Sequence, residues 1–123
     1  MLGTPYFPSL ESLQGSILLW EIDAVQSYRI EKGLYQLKYA GVLDQISGML
    51  IGKLPDITRT AWKDFEEPTV KQIVMDVLKE YSFPIIAEVD FGHKTVDSIM
   101  PIGITAKMDA DTLELVFLEA MVQ

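Results

Sequence analysis

A single histidine stands in the 123-residue sequence, His93, within Phe91-Gly92-His93-Lys94. Imidazole titrates closest to neutrality of all side chains, so it can take up and return a proton within one reaction cycle. Taken alone, a histidine in a glycine-containing loop is usually just a loop residue; its place after a buried strand raises the functional reading, because α/β sheets put chemistry outside the carboxyl ends of their strands. Glu21 is the second candidate, because it directly follows Ile17-Leu18-Leu19-Trp20. A carboxylate at the end of such an apolar run is partly desolvated unless something pairs with it; the simpler reading is a strand-end charge that reaches water. Together the two could form a base and its orienter. A carboxylate bonded to Nδ1–H fixes the tautomer and stabilises the imidazolium formed when Nε2 takes a proton. Such a pair lacks a nucleophile, and no serine of the chain stands in a Gly-x-Ser-x-Gly elbow. A complete hydrolase would need Ser27 or Ser98 on a strained turn beside His93, and nothing in their flanking residues demands one.

Other chemistries find little support. With Cys 0 and His 1, disulfides, thiolate nucleophiles and a zinc site drop out together. Asp109-x-Asp111 resembles the start of a calcium loop, but the glycine and terminal glutamate are absent, which leaves a hairpin turn. Neither a Gly-x-Gly-x-x-Gly nor a Walker Gly-Lys-Ser/Thr run is present, so no nucleotide fingerprint exists. Met49, Met75, Met100 and Met108 lie in apolar contexts and read as core filler. Trp20 and Trp62 could line a site, with Trp20 read as strand packing.

The elements that must hold Glu21 and His93 follow from periodicity. Residues 17–20 read as a strand buried on both faces. Ile30, Leu34, Leu37 and Gly41 fall on one stripe, which predicts a helix over 28–40 with Gly41 as its stop. Residues 46–51 read as a second strand and 54–67 as a loop. Pro68 suits a first helical position, and Val70, Ile73, Val74, Val77, Leu78 and Tyr81 form the next helical stripe, ended by Pro84. Residues 85–87 read as a third strand, 90–96 as a polar loop, and 102–108 with 113–118 as a hairpin around an acidic turn. Two strand–helix–strand units imply parallel pairing, and the hairpin adds antiparallel strands. The fold class is therefore α/β, a mixed sheet with flanking helices. Residues 1–15, with Pro5 and Pro8, read as an interdomain lead-in and 16–123 as the domain.

Composition sets the outer bounds. A chain 49% hydrophobic and 23% charged, with no membrane-length apolar run, is one compact soluble domain. A net charge of −8 without a basic cluster argues against nucleic acid. The N-terminus has neither a basic segment nor an apolar core of a signal peptide, so the expected location is cytoplasmic and the expected membrane involvement none.

An ordered series of segments carries a family resemblance. Leu2-Gly3-Thr4-Pro5, Gly15 to Glu21, Tyr28-Arg29-Ile30-Glu31 and Gln36 to Asp44 make up its first half. Gly48 to Lys53, Asp90-Phe91-Gly92-His93 and Met100-Pro101-Ile102-Gly103 continue it in order. The series resembles the LD-carboxypeptidases, the serine peptidase family that also contains the microcin C self-immunity proteins, and specifically their C-terminal domain. The resemblance implies a swivelling β/β/α-type domain that supplies the glutamate and histidine of a Ser-His-Glu triad, falling here on Glu21 and His93. It further implies an N-terminal α/β domain as partner, bearing the serine and the oxyanion hole, and no metal or organic cofactor. The implied reaction is removal of the terminal D-alanine from murein tetrapeptides during cell-wall recycling, with microcin-type amide hydrolysis as a variant. A chain holding only this domain is expected to be inactive by itself, as an excised domain or a truncated gene product. Where relatives carry a second acidic residue after the triad glutamate, this chain has Ile22, and Asp23 is displaced by one. The alternative reading is a non-catalytic binding module of the same fold. Under either reading, the apolar face a partner domain would cover favours a homodimer.

Overall fold

The computed structural model describes residues 2–23, 26–54, 66–93 and 98–120. Its elements are β1 (Ile17–Trp20), α1 (Ser27–Tyr39), β2 (Gly48–Gly52), α2 (Val70–Leu78), β3 (Ile85–Val89), β4 (Ala106–Asp109) and β5 (Glu114–Phe117). This is the order that periodicity predicts: strand, helix, strand, helix, strand, hairpin.

Each helix ends where its sequence provides partners for the terminal backbone groups. In α1, Ile30, Leu34 and Leu37 form the buried stripe. Gly41 then takes φ +75°, and the amides of Gly41 and Val42 turn back to the carbonyls of Lys38 and Leu37 at 3.0 and 3.1 Å. That is a Schellman stop, in which glycine alone adopts the left-handed conformation without a Cβ penalty. At the start of α2, Thr69 and Gln72 form a reciprocal capping box, the Gln72 amide donating to Thr69 Oγ1 at 3.2 Å and the Thr69 amide to Gln72 Oε1 at 2.8 Å. Pro68 therefore precedes the cap and is not the first helical residue. The helix closes at Leu78, so Tyr81 packs from the following turn, well before Pro84.

The three parallel strands lie in the order β1-β2-β3, with Leu18 opposite Met49, Leu19 opposite Leu50 and Leu50 opposite Ile86. Both crossovers step the same way across the sheet, so crossovers of one hand bring both helices to one face. Met49 and Ile51 of β2 accordingly share a single core with Ile30, Leu34, Val74 and Val77, and Leu18 and Trp20 pack against it. The alternate residues Ile17, Leu19 and Leu50 face the opposite side, where β4 and β5 lie; a Cβ on Gly48 would stand 3.0 Å from Met108 Sδ. β2 is buried along its whole length because both its faces are covered.

Parallel and antiparallel pairing thus coexist with flanking helices. Among the described residues, however, β4 and β5 pair only with each other and lie over the parallel sheet without extending it. The hairpin strands are also shorter than alternation suggests: β4 begins at Ala106, with one further cross-strand bond from the Leu118 amide to the Thr105 carbonyl at 2.9 Å. Met75 is 58% exposed and so is not core filler, unlike Met49. Glu11–Leu13 form a short 3-10 helix, and Leu2, Phe7 and Leu13 pack against the core. Most of the expected 54–67 loop, Trp62 included, and residues 94–96 of the expected 90–96 loop lie outside the described residues. Toward the amino ends of β2 and β3, Lys38 Nζ donates to Glu80 Oε2 at 2.6 Å, which raises the lysine and lowers the glutamate from their ordinary titration values.

Candidate active site

Glu21 follows the last residue of β1, and His93 comes shortly after the last residue of β3. These are the two outer strands of the parallel sheet, separated by β2. Adjacent strands lie about 4.8 Å apart, so the β3 exit must cross roughly 10 Å over the end of β2 to reach β1. It does so. His93 Nδ1 lies 3.0 Å from Glu21 Oε1, a contact between residues 72 positions apart. A carboxylate only accepts, so the bond requires the proton on Nδ1 and makes Nε2 the nitrogen that could take another. The carboxylate side chain is 17% exposed and the imidazole 65% exposed. The acid is thus seated by the body of the fold, and the ring is presented outward.

The path of the β3 exit is set by local irregularities. Between Leu50 and Gly52 the register with β3 slips, Leu50 pairing with Ile86 and Gly52 with Val89. The extra residue is taken up around Glu88, which has φ 61°. Such a bulge bends its strand and re-aims the chain on its far side. Past Glu88 the Lys53 amide donates to the Val89 carbonyl at 3.1 Å, and the Phe91 amide donates to the same oxygen at 2.8 Å. Lys53 Nζ also pairs with the Asp90 carboxylate. The Ser98 amide closes on the Asp90 carbonyl at 2.6 Å.

Two glycines make room for this path. A Cβ on Gly52 would sit 2.5 Å from the Phe91 carbonyl oxygen and 3.0 Å from its ring. Gly92, at φ +115°, would carry a Cβ 2.6 Å from Glu21 Cγ. Gly52, Phe91, Gly92 and the Lys53–Asp90 pair were not singled out by sequence reasoning as parts of the site. A glycine closing a buried strand, with a lysine just after it and an aspartate on the neighbouring strand's exit, was the available signal.

Of the serines weighed as internal nucleophiles, Ser27 donates its hydroxyl to Glu67 from the start of α1 and does not have the positive φ of a strained elbow, and the Ser98 amide closes on the Asp90 carbonyl. A cleft of about 270 Å³ lies between the parallel sheet and the hairpin, lined by Ile17, Leu19, Leu50, Met100 and Phe117. Neither Glu21 nor His93 lines it, so it belongs to the packing of the two sheets. Among the described residues no group of three His, Cys, Asp or Glu side chains could hold a metal ion, and no helix is long and apolar enough to cross a membrane.

The fold and the pair define an α/β unit with a carboxylate–imidazole dyad at the carboxyl edge of a parallel sheet, where such sheets carry their chemistry. Residues 1–108 match the family described as the LD-carboxypeptidase C-terminal domain, and the chain belongs to that family. A protein of Synechocystis sp. that carries the name of a carboxypeptidase is 32% identical over 117 residues, covering 95% of this chain and 37% of the relative. The crystal structure of muramoyltetrapeptide carboxypeptidase from Oxalobacter formigenes aligns with a TM-score of 0.70 and 26% identity, over 86% of this chain and 35% of that one. The microcin C7 self-immunity protein MccF aligns with a TM-score of 0.78 over 98% of this chain and 34% of its own; at 20% identity this is a likeness of fold. The chain spans roughly a third of the length of these proteins.

Proposed function

We propose that this chain is the histidine- and glutamate-bearing part of a serine LD-carboxypeptidase that releases the terminal D-alanine of murein tetrapeptides in cytoplasmic cell-wall recycling. The observation that carries the reading is the 3.0 Å contact between His93 Nδ1 and Glu21 Oε1 at the carboxyl edge of the sheet. Likeness to a muramoyltetrapeptide carboxypeptidase supports the substrate class. The serine and the oxyanion donors come from a further domain. His93 Nε2 takes the serine proton as the hydroxyl attacks the scissile carbonyl, then returns it to the departing D-alanine amine. A water repeats the sequence on the acyl-enzyme. Glu21 keeps the proton on Nδ1 throughout and stabilises the imidazolium between the two transfers.

The test joins the chain to a serine-bearing N-terminal domain and follows D-alanine release from murein tetrapeptide. The joined protein is expected to turn over, His93→Ala to reduce the rate by about 10⁴- to 10⁶-fold, and the 123-residue chain alone to release nothing. A His93→Ala enzyme with a near-normal rate, or turnover by the chain alone, overturns the reading. No turnover by the joined protein leaves a non-catalytic binding or dimerisation module as the function.

A further inference from the structure

We infer that Gly52, Phe91 and Gly92 are positioning residues for the Glu21–His93 pair: two glycine clearances on either side of one aromatic residue let the β3 exit lie flat across the end of β2 and bring the imidazole to the carboxylate. Their catalytic meaning rests on the function proposed above; the geometry they set does not.

Glu21 and His93 issue from outer strands with β2 between them, so the connecting backbone passes over the last residue of β2. That residue is Gly52, and the segment seated against it is Phe91, carbonyl and ring together. The 2.5 Å separation between a Cβ at Gly52 and the Phe91 carbonyl oxygen involves backbone, which cannot rotate away as a side-chain tip can. Any side chain at position 52 lifts the exit at Phe91, two residues before the imidazole. The second clearance works on the acid. A Cβ at Gly92 meets Glu21 at Cγ, 2.6 Å away, and at Cδ, 3.1 Å away, so it displaces the stem that carries Oε1. The bulge at Glu88 and the Lys53–Asp90 pair aim the segment toward this seat. One glycine thus sets the height of the histidine loop, and the other the place of the glutamate.

Gly92 differs from Gly52 in also having a positive φ, +115°, so a substitution there combines backbone strain with collision. Gly103 separates the two effects. Its φ is +79°, yet a Cβ there has nothing within 4 Å, so Gly103→Ala brings strain without collision.

Because His93 is the one histidine, its ring nitrogens give unambiguous ¹⁵N NMR signals in the 123-residue chain, and these report the tautomer directly. The parent is expected to hold the neutral ring with its proton on Nδ1 at high pH. Gly52→Ala and Gly92→Ala are expected to lose that preference while amide spectra of α1 and β2 stay native, and Gly103→Ala to keep it. Phe91→Ala removes the ring that rests on Gly52 without adding an atom, and it too is expected to lose the preference. Retention of the parent tautomer in both glycine variants, or its equal loss in Gly103→Ala, overturns the inference. Should both glycine variants unfold, Phe91→Ala decides: the parent tautomer in that variant overturns the inference, and its loss sustains it. The readout involves no nucleophile, so a joined protein that fails to turn over overturns the proposed function and leaves this result standing.

Discussion

Glu21 and His93 divide solvent unequally, the acid being 17% exposed and the ring 65% exposed. Under the proposed function, a seated acid and a presented ring suit an orienter and a base, because the orienting group is then held by packing and the group that meets a reactant faces outward. Glu21→Gln keeps the size of the side chain but can present an amide N–H to Nδ1, which favours the wrong tautomer. With a serine-bearing domain joined, this variant is expected to lower kcat by about 10⁴-fold, while circular dichroism and tryptophan fluorescence of the 123-residue chain stay with the parent. A variant that unfolds makes Glu21 structural. Both residues stand out as candidates in the sequence because their signals are one-dimensional: a charge ending an apolar run, and a lone imidazole in a loop after a strand. The reasons for glycine at 52 and 92 were not, since each lies in a neighbour distant along the chain, Phe91 for the one and Glu21 for the other.

Among the elements, boundaries show the same division between local and distant causes. The helical stripes and the Gly41 stop follow from spacing within a few residues, so α1 falls within a residue of its predicted ends. The extent of the hairpin does not, because residues 102–104 alternate in type yet lie beyond the last cross-strand bond, from the Leu118 amide to the Thr105 carbonyl. Its turn is set by Asp109, whose carboxylate accepts the amides of Thr112 at 3.1 Å and Asp111 at 2.9 Å. These bonds hold the carboxyl below its ordinary value of 3.8. A folded pKa below the unfolded one stabilises fully above the unfolded value and is lost as pH falls through the folded value. Asp109→Ala is therefore expected to weaken amide protection in β4 and β5 above about pH 5, with the difference from the parent shrinking below about pH 3. Hydrogen exchange followed by NMR across this range checks it. A difference that stays constant down to about pH 2 contradicts the role given to the carboxylate.

At the scale of the molecule, the parallel sheet has two unequal coverings. On one face α1 and α2 close a core in which Ile30, Leu34 and Met49 have no exposure at all. On the other, the hairpin covers Leu50 and Ile86 but leaves Leu113, Val116 and Leu118 at 71%, 47% and 59% exposure. Fewer buried apolar contacts mean a lower free energy of local opening, so the two coverings should separate in stability. Leu34→Ala is expected to cost about 2–5 kcal/mol and to lower the urea midpoint of the whole chain. Phe117→Ala, in a partly exposed strand, is expected to speed exchange in β4 and β5 while leaving α1 and β2 unchanged. Native-state hydrogen exchange distinguishes this from a single cooperative unit. Exchange of β5 amides in step with those of β2, at the free energy of global unfolding, contradicts the separation. The Glu21–His93 pair stands at the strand ends common to both faces, yet its seat at Gly52 belongs to β2, the most deeply buried strand. The pair should therefore keep its Nδ1–Oε1 contact under conditions that already open the hairpin, and the His93 ¹⁵N signals recorded beside hairpin exchange in increasing urea test that order of loss.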